Sequence, residues 1–201
     1  AQSEAYLGHK WCNYWFHVYH LNTNSGKMSK YSGEFLTVSL LESKGYNPLA
    51  YRFFCLQSHY RKSLVFTYEN LDNAVVSYNK LVAKISSLDP DDGEIDKEVF
   101  DACKKKFTDA LDNDLNTSLA ITALYDVLKA KTNGKTKLAL IADFDRVLSV
   151  GLIESADKAR AEKKAQEKAH AEPEYDMSDP FIAEIVALIE ERKQAKKNKN
   201  Y

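Results

Sequence analysis

The sequence predicts a mainly α-helical protein: a short mixed α/β segment carrying a lysine-bearing loop, followed by an antiparallel helical bundle. Three observations lead there. Leu71, Ala74, Val75, Tyr78, Leu81, Val82, Ile85 and Leu88 recur at i, i+3, i+4, i+7 spacing over several turns. Further apolar stripes follow, punctuated by "PDDG" at 90–93 and "DNDLNT" at 112–117. Upstream, "WCNYWFHVYHL" at 11–21 is rich in aromatic and β-branched residues and lacks the 3.6 period. It predicts a strand packed on both faces.

Taken in order, "AQSEAYLG" predicts the last turns of a helix ending near Gly8. The strand over 11–21 runs into "GKMSKYSG" at 26–33, a glycine-flanked loop. Thr37 suits the N-cap of a short helix through Leu40 and Leu41. Asn47 caps the next helix, with Pro48 at its first position and Leu49, Phe53 and Leu56 turned inward. Thr67 caps the long stripe that begins at Leu71, and Glu69 faces the positive helix end. A second amphipathic helix carries Phe100, Cys103, Phe107, Ala110 and Leu111. Asp114 or Asn116 caps a third, which ends before Asn133-Gly134, and a fourth spans about 135–149 and stops at Gly151.

Residues 155–171 are almost all Ala, Lys and Glu, with helix propensity but no apolar stripe, and predict a solvated helix or helical linker. The last helix starts at Asp179-Pro180 and presents Ile182, Ile185, Val186 and Ile189. Single helices of these lengths are marginal in water, so the stripes must pack together. The organisation expected is a mixed part over 1–66 and a helical bundle over 67–201, with 155–171 as the polar helix or linker.

Composition narrows the function. A chain of 201 residues with 44% hydrophobic content can bury one sizeable core or two small ones. A formal net charge of −1 excludes binding nucleic acid by bulk charge and leaves only local patches. The three cysteines, Cys12, Cys55 and Cys103, are widely spaced and form no CxxC pair. Reduced thiols in a cytoplasmic protein are expected, without a disulfide framework. No apolar run has the length of a membrane span, and no signal peptide is visible. The chain opens without Met and stops after a basic run without a helix-stop signal, which suggests a fragment.

The chemistry concentrates in the loop. Lys27 and Lys30 are compact charges on flexible stems that bind phosphate as point charges. Met28 can anchor the loop on an apolar surface, and Ser29 can donate a hydrogen bond. From the residues alone this is either a solvated lysine turn or a polyphosphate-binding loop. In the second case one such donor contributes on the order of 3–4 kcal/mol to the transition state. His17 and His20 fall on opposite faces of the expected strand, and with Cys12 they make no tetrahedral set, so no metal site is assigned.

"KMSKY" resembles the KMSKS signature of class I aminoacyl-tRNA synthetases, and its surroundings resemble the cysteine–tRNA ligases in particular. "YWFHVYHLNTNSGKMSKYSGEFLTVSLL" is similar to that family's strand, loop and following helix. "PLAYRFFCLQSHYRKSLVFTYENL" resembles the segment joining catalytic core to helical domain, and "DNDLNT" the DDDLNT stretch of the bundle. "AQSEA" is similar to the residues just after the family's HHENE zinc-binding stretch. The blocks stand in the family's order across most of the chain. The sequence departs from the pattern at Tyr31, where Ser is usual, and at Glu34, where Asn commonly follows the glycine.

The resemblance implies that Lys30 and Lys27 contact ATP, with Mg as its counter-ion, and stabilise the transition state of cysteine adenylate formation. Met28 and Ser29 complete the ATP-binding loop. Residues 1–66 are then the C-terminal part of the class I catalytic core and 67–201 a tRNA-binding bundle. Arg61 and Lys62 become candidates for tRNA backbone contact, the alternative being cations that favour a helix C-terminus. Arg192, Lys193, Lys196 and Lys197 are candidates of the same kind, the alternative being a solvated helix end. The family's HIGH motif and zinc ligands are absent from these residues, so zinc and cysteine selection belong to the full-length enzyme, and this chain is expected to be inactive alone. A different class of reading is a stand-alone helical RNA-binding or interaction module derived from such an enzyme.

Overall fold

The computed structural model describes residues 2–23, 26–27, 37–170 and 180–197. Among them the protein is mainly helical, with nine helices and three short strands. The chain divides into two units, residues 1–161 and 162–201.

The first unit opens with helix α1 (Gln2–Leu7), closed by Gly8 at φ +73°, whose N–H reaches the Glu4 carbonyl at 2.8 Å. Strands β1 (Leu21–Thr23), β2 (Gly26–Lys27) and β3 (Leu64–Phe66) form one sheet in the order β2-β1-β3. β1 and β2 are antiparallel, with Asn22 opposite Lys27, whereas β1 and β3 are parallel, with Leu21 opposite Leu64. Between β2 and β3 lie α2 (Val38–Ser43) and α3 (Pro48–Leu56). Then come α4 (Tyr68–Ser86), α5 (Lys97–Asp112), α6 (Thr117–Lys129), α7 (Gly134–Leu148) and α8 (Leu152–His170).

The expected caps are in place. Thr37 accepts from the Leu40 N–H, Asn47 from Leu49, Thr67 from Asn70 and Asn116 from Leu119. Asn133 caps α7, whose first residue must be Gly134: a Cβ there would lie 2.2 Å from the Asp89 carbonyl oxygen.

The stripes pack as their spacing requires. Leu71, Ala74, Tyr78, Leu81, Val82 and Ile85 of α4 are all buried. The larger core joins α3 and α4 to α5, α6 and α7, with Phe107 stacked on Phe144 at 4.0 Å. A smaller core of Leu41, Phe54, Phe66, Leu71 and Ala74 lies under the sheet.

Two expectations fail. Residues 11–20 are not a strand packed on both faces: they are irregular, and Tyr14, Trp15, Phe16, Val18 and Tyr19 are exposed. A strand needs a neighbour, and ladder pairing begins only at Leu21, where β3 lies alongside. Nor does the polar helix start as a solvated rod. α8 begins at Leu152, and Leu152 and Ala156 are fully buried, so "LIESA" roots it in the core. Residues 161–166 are exposed, as expected of the polar stretch.

In the second unit, α9 (Pro180–Lys197) begins at the predicted proline. Asp179 and the side chain of Ile182 lie outside the described residues. Ile185 and Ile189 are exposed and Val186 is half-buried, so the expected stripe is not covered within this unit.

Candidate functional site

Two residues of the predicted loop are described, and both belong to the sheet. Gly26 and Lys27 form β2 on the outer edge, held by β1. Met28, Ser29 and Lys30, with Tyr31 and Glu34, lie outside the described residues. Arg61 and Lys62 fall in the turn that leaves α3 and enters β3. Lys27 and the turn at 59–63 thus both adjoin one three-stranded sheet. Arg192, Lys193, Lys196 and Lys197 lie in α9 of the second unit, where Arg192 and Lys196 are exposed.

Arg61 is not a free cation. Its Nε donates to Asp114 Oδ2 at 2.6 Å and its terminal nitrogen to Oδ1 at 3.1 Å, a two-pronged ion pair. The Tyr60 hydroxyl donates to the same carboxylate, and the Arg61 guanidinium lies 4.9 Å from the centre of the Tyr60 ring. His59 Nε2 donates to the Asp114 carbonyl at 2.9 Å. These donors hold the Asp114 carboxyl down at about 2, the Arg61 bond contributing most and Tyr60 next.

The turn that presents Asp114 is unusual. Asp114 and Leu115 sit consecutively in the left-handed region, at φ 56° and 50°. Such conformations cost non-glycine residues roughly 1–3 kcal/mol each and persist only where surrounding contacts hold them. The Leu115 N–H bonds the Leu111 carbonyl at 2.8 Å, and the Asn116 N–H bonds Ala110 at 3.1 Å. Asn116 is left to cap α6 and Asp114 to face the turn at 59–61. The local sequence accounts for a polar cap here but not for the long-range partners. The available signal was an Asp in a non-glycine stretch between two helical stripes, since Asp tolerates the left-handed region.

Beside the turn lies an apolar cavity of about 400 Å³, walled by Tyr19, Leu21, Tyr51, Cys55, Tyr60 and Leu115 among others. Burial pushes the Cys55 thiol up, and burial with Cys55 nearby pushes Tyr51 up to about 12. Both stay protonated at neutral pH, which suits a packing role rather than nucleophilic chemistry.

Zinc does not fit the residues described. No group of three or more His, Cys, Asp or Glu among them converges on a point. The Cys12 thiol donates to the Tyr14 carbonyl at 2.8 Å, and the His17 ring stacks on Trp15. No chemical step is assigned to a metal here.

Residues 1–76 match the model of the class I (C) tRNA synthetase catalytic domain, and residues 106–171 match the DALR domain. A cysteine–tRNA ligase of Novosphingobium aromaticivorans is 37% identical over 192 residues, covering 86% of this chain and 39% of that protein. The cysteine–tRNA ligase of Treponema denticola is 34% identical and spans 100% of this chain and 43% of its own length. That of Borreliella burgdorferi is 32% identical, with 100% and 42% covered. The chain therefore spans roughly two-fifths of the length of the curated relatives it matches.

Proposed function

The chain is a relative of the cysteine–tRNA ligases, and we propose that it supplies the signature loop and the tRNA-binding helices of such an enzyme. In the full enzyme the cysteine carboxylate attacks the α-phosphate of ATP and pyrophosphate leaves with its Mg counter-ion. Lys30, and Lys27 beside it, neutralise charge growing on the phosphates, while Met28 and Ser29 seat the loop. The aminoacyl group then passes to the 3′ end of tRNA. Residues 1–66 act as the C-terminal part of the catalytic core. Residues 67–201 act as an antiparallel helical bundle on tRNA, with 155–171 as its polar helix or linker. Zinc and the groups that select cysteine lie on other parts of the full enzyme. The free thiols suit a cytoplasmic setting, and no described helix is long and apolar enough to cross a membrane.

The observation that carries this reading is the joint, ordered match of a catalytic-domain model and a DALR model. Arg61, Lys62, Arg192, Lys193, Lys196 and Lys197 are the proposed phosphate contacts of tRNA. Of these, Arg61 contributes least, because Asp114 already compensates its charge.

Cysteine-dependent ATP–pyrophosphate exchange tests the proposal. This chain alone is expected to stay at background. Joined to the N-terminal part of a curated relative's catalytic domain it should exchange, and Lys30→Ala should lower that rate about 100-fold or more. Exchange untouched by Lys30→Ala would sink the assignment. No exchange in the joined protein, with tRNA retained on a filter at low salt, would favour the stand-alone RNA-binding module.

A further inference from the structure

We propose that Asp114 is a positioning residue: through Arg61 and Tyr60 it fixes the β1–β2 hairpin that carries Lys27. The strands of this sheet are three, two and three residues long. Strands so short cannot hold a register by their own ladder. Their anchorage comes from the turn at 59–63, which is gripped on both sides.

On the hairpin side, the Tyr19 N–H donates to the Tyr60 carbonyl at 2.8 Å, and Phe16 stacks on the Tyr60 ring at 4.4 Å. Asn22 Nδ2 donates to Ser63 Oγ at 2.9 Å, and Asn22 is itself the residue opposite Lys27. On the helical side, Asp114 takes Arg61 and Tyr60 on its carboxylate and His59 on its carbonyl. Asp114 stands at the joint between α5 and α6, in a left-handed turn that its neighbours hold. Polar contacts on both sides of the 59–63 backbone thus link the joint of two bundle helices to the strand pair that includes Lys27. A shift of the α5–α6 joint moves the hairpin with it.

The inference rests on reading that loop as the ATP loop, but its structural part can be tested without nucleotide. Amide hydrogen exchange is measured on this chain, on Asp114→Asn, on Arg61→Met and on the double variant. Asn keeps the shape and tolerance of the left-handed turn while removing the charge. Arg61→Met opens the grip from the other side without touching the strained turn. Exchange at 21–23 and 64–66 is expected to rise about tenfold in Asp114→Asn, less in Arg61→Met, which leaves Tyr60 on the carboxylate, and in the double variant no further than in Asp114→Asn. Exchange at Leu140 and Ile141 of α7 should stay unchanged. Unchanged hairpin exchange, a uniform rise across the chain, or single effects that multiply in the double variant would each overturn the proposal. ATP is then added to the chain joined to the N-terminal part of a relative's catalytic domain: protection of Gly26 and Lys27 supports the loop reading. A loosened hairpin in the variants without that protection in the joined protein keeps the positioning role and rejects the nucleotide.

Discussion

At Asp114, hydrogen bonds from Arg61 and then Tyr60 lower the carboxyl to about 2, from an ordinary value of 3.8. A depressed folded value means stability that is present above the unfolded value and lost as pH falls through the folded one. The grip on the 59–61 turn is therefore fully made above about pH 4 and released towards about pH 2. Asp114→Asn should melt at a lower temperature than the parent at neutral pH, and the two melting curves should converge as the pH approaches 2. Circular dichroism melts across that range check it, and a gap constant with pH would mean that the carboxylate charge is not the stabilising feature. At this scale the sequence exposes what is local. Thr37, Asn47, Thr67 and Asn116 could be read as caps because each bonds an N–H two or three residues on. Asp114, the other cap candidate, instead holds Arg61, 53 residues away, and no local pattern encodes that pairing.

Helix α4 illustrates the element scale. Its stripe was legible because the 3.6 period leaves one answer for six side chains that end up buried. Of the strand expected over 11–21 only Leu21 pairs, because β propensity reports fitness for a half-buried pleat, and among the described residues no strand lies beside 11–20 to make one. The root of α8 was missed because the Ala-Lys-Glu run dominates its composition, while the anchoring Leu152 sits just past Gly151. Beside the shared apolar core, α4 is tied to that root by a hydrogen bond that no pattern predicts. The buried Tyr78 hydroxyl donates to the Val150 carbonyl at 2.8 Å and lies 3.0 Å from Ser155 Oγ. Tyr78→Phe keeps the ring against Phe53 and strands that carbonyl, so it should cost about 1–2 kcal/mol. In urea the midpoint should fall with the slope unchanged; a changed slope would point to a rearranged core instead.

For the molecule as a whole, the unmatched feature is the row of exposed aromatics ahead of the sheet. Tyr14 is 91% exposed, Trp15 66% and Phe16 56%. Rings of this size, contiguous and largely open to solvent, mark an interaction face more often than a bare surface. They precede the hairpin inside the stretch that matches a class I catalytic domain, in a chain covering about two-fifths of its relatives. Under the proposed function, the remainder of that catalytic domain packs on this row and brings its half of the active site up to Lys27. The chain supplies its own reporter, because its two tryptophans, Trp11 and Trp15, both lie in this segment, with ring centres 5.4 Å apart. In the chain alone, acrylamide should quench their emission readily. Once the chain is joined to the N-terminal part of a relative's catalytic domain, quenching should fall and the emission should move to shorter wavelength as water leaves the indoles. The restored active site and the shielded tryptophans should then appear together. Exchange activity with both tryptophans still open to acrylamide would place the catalytic half on some other face.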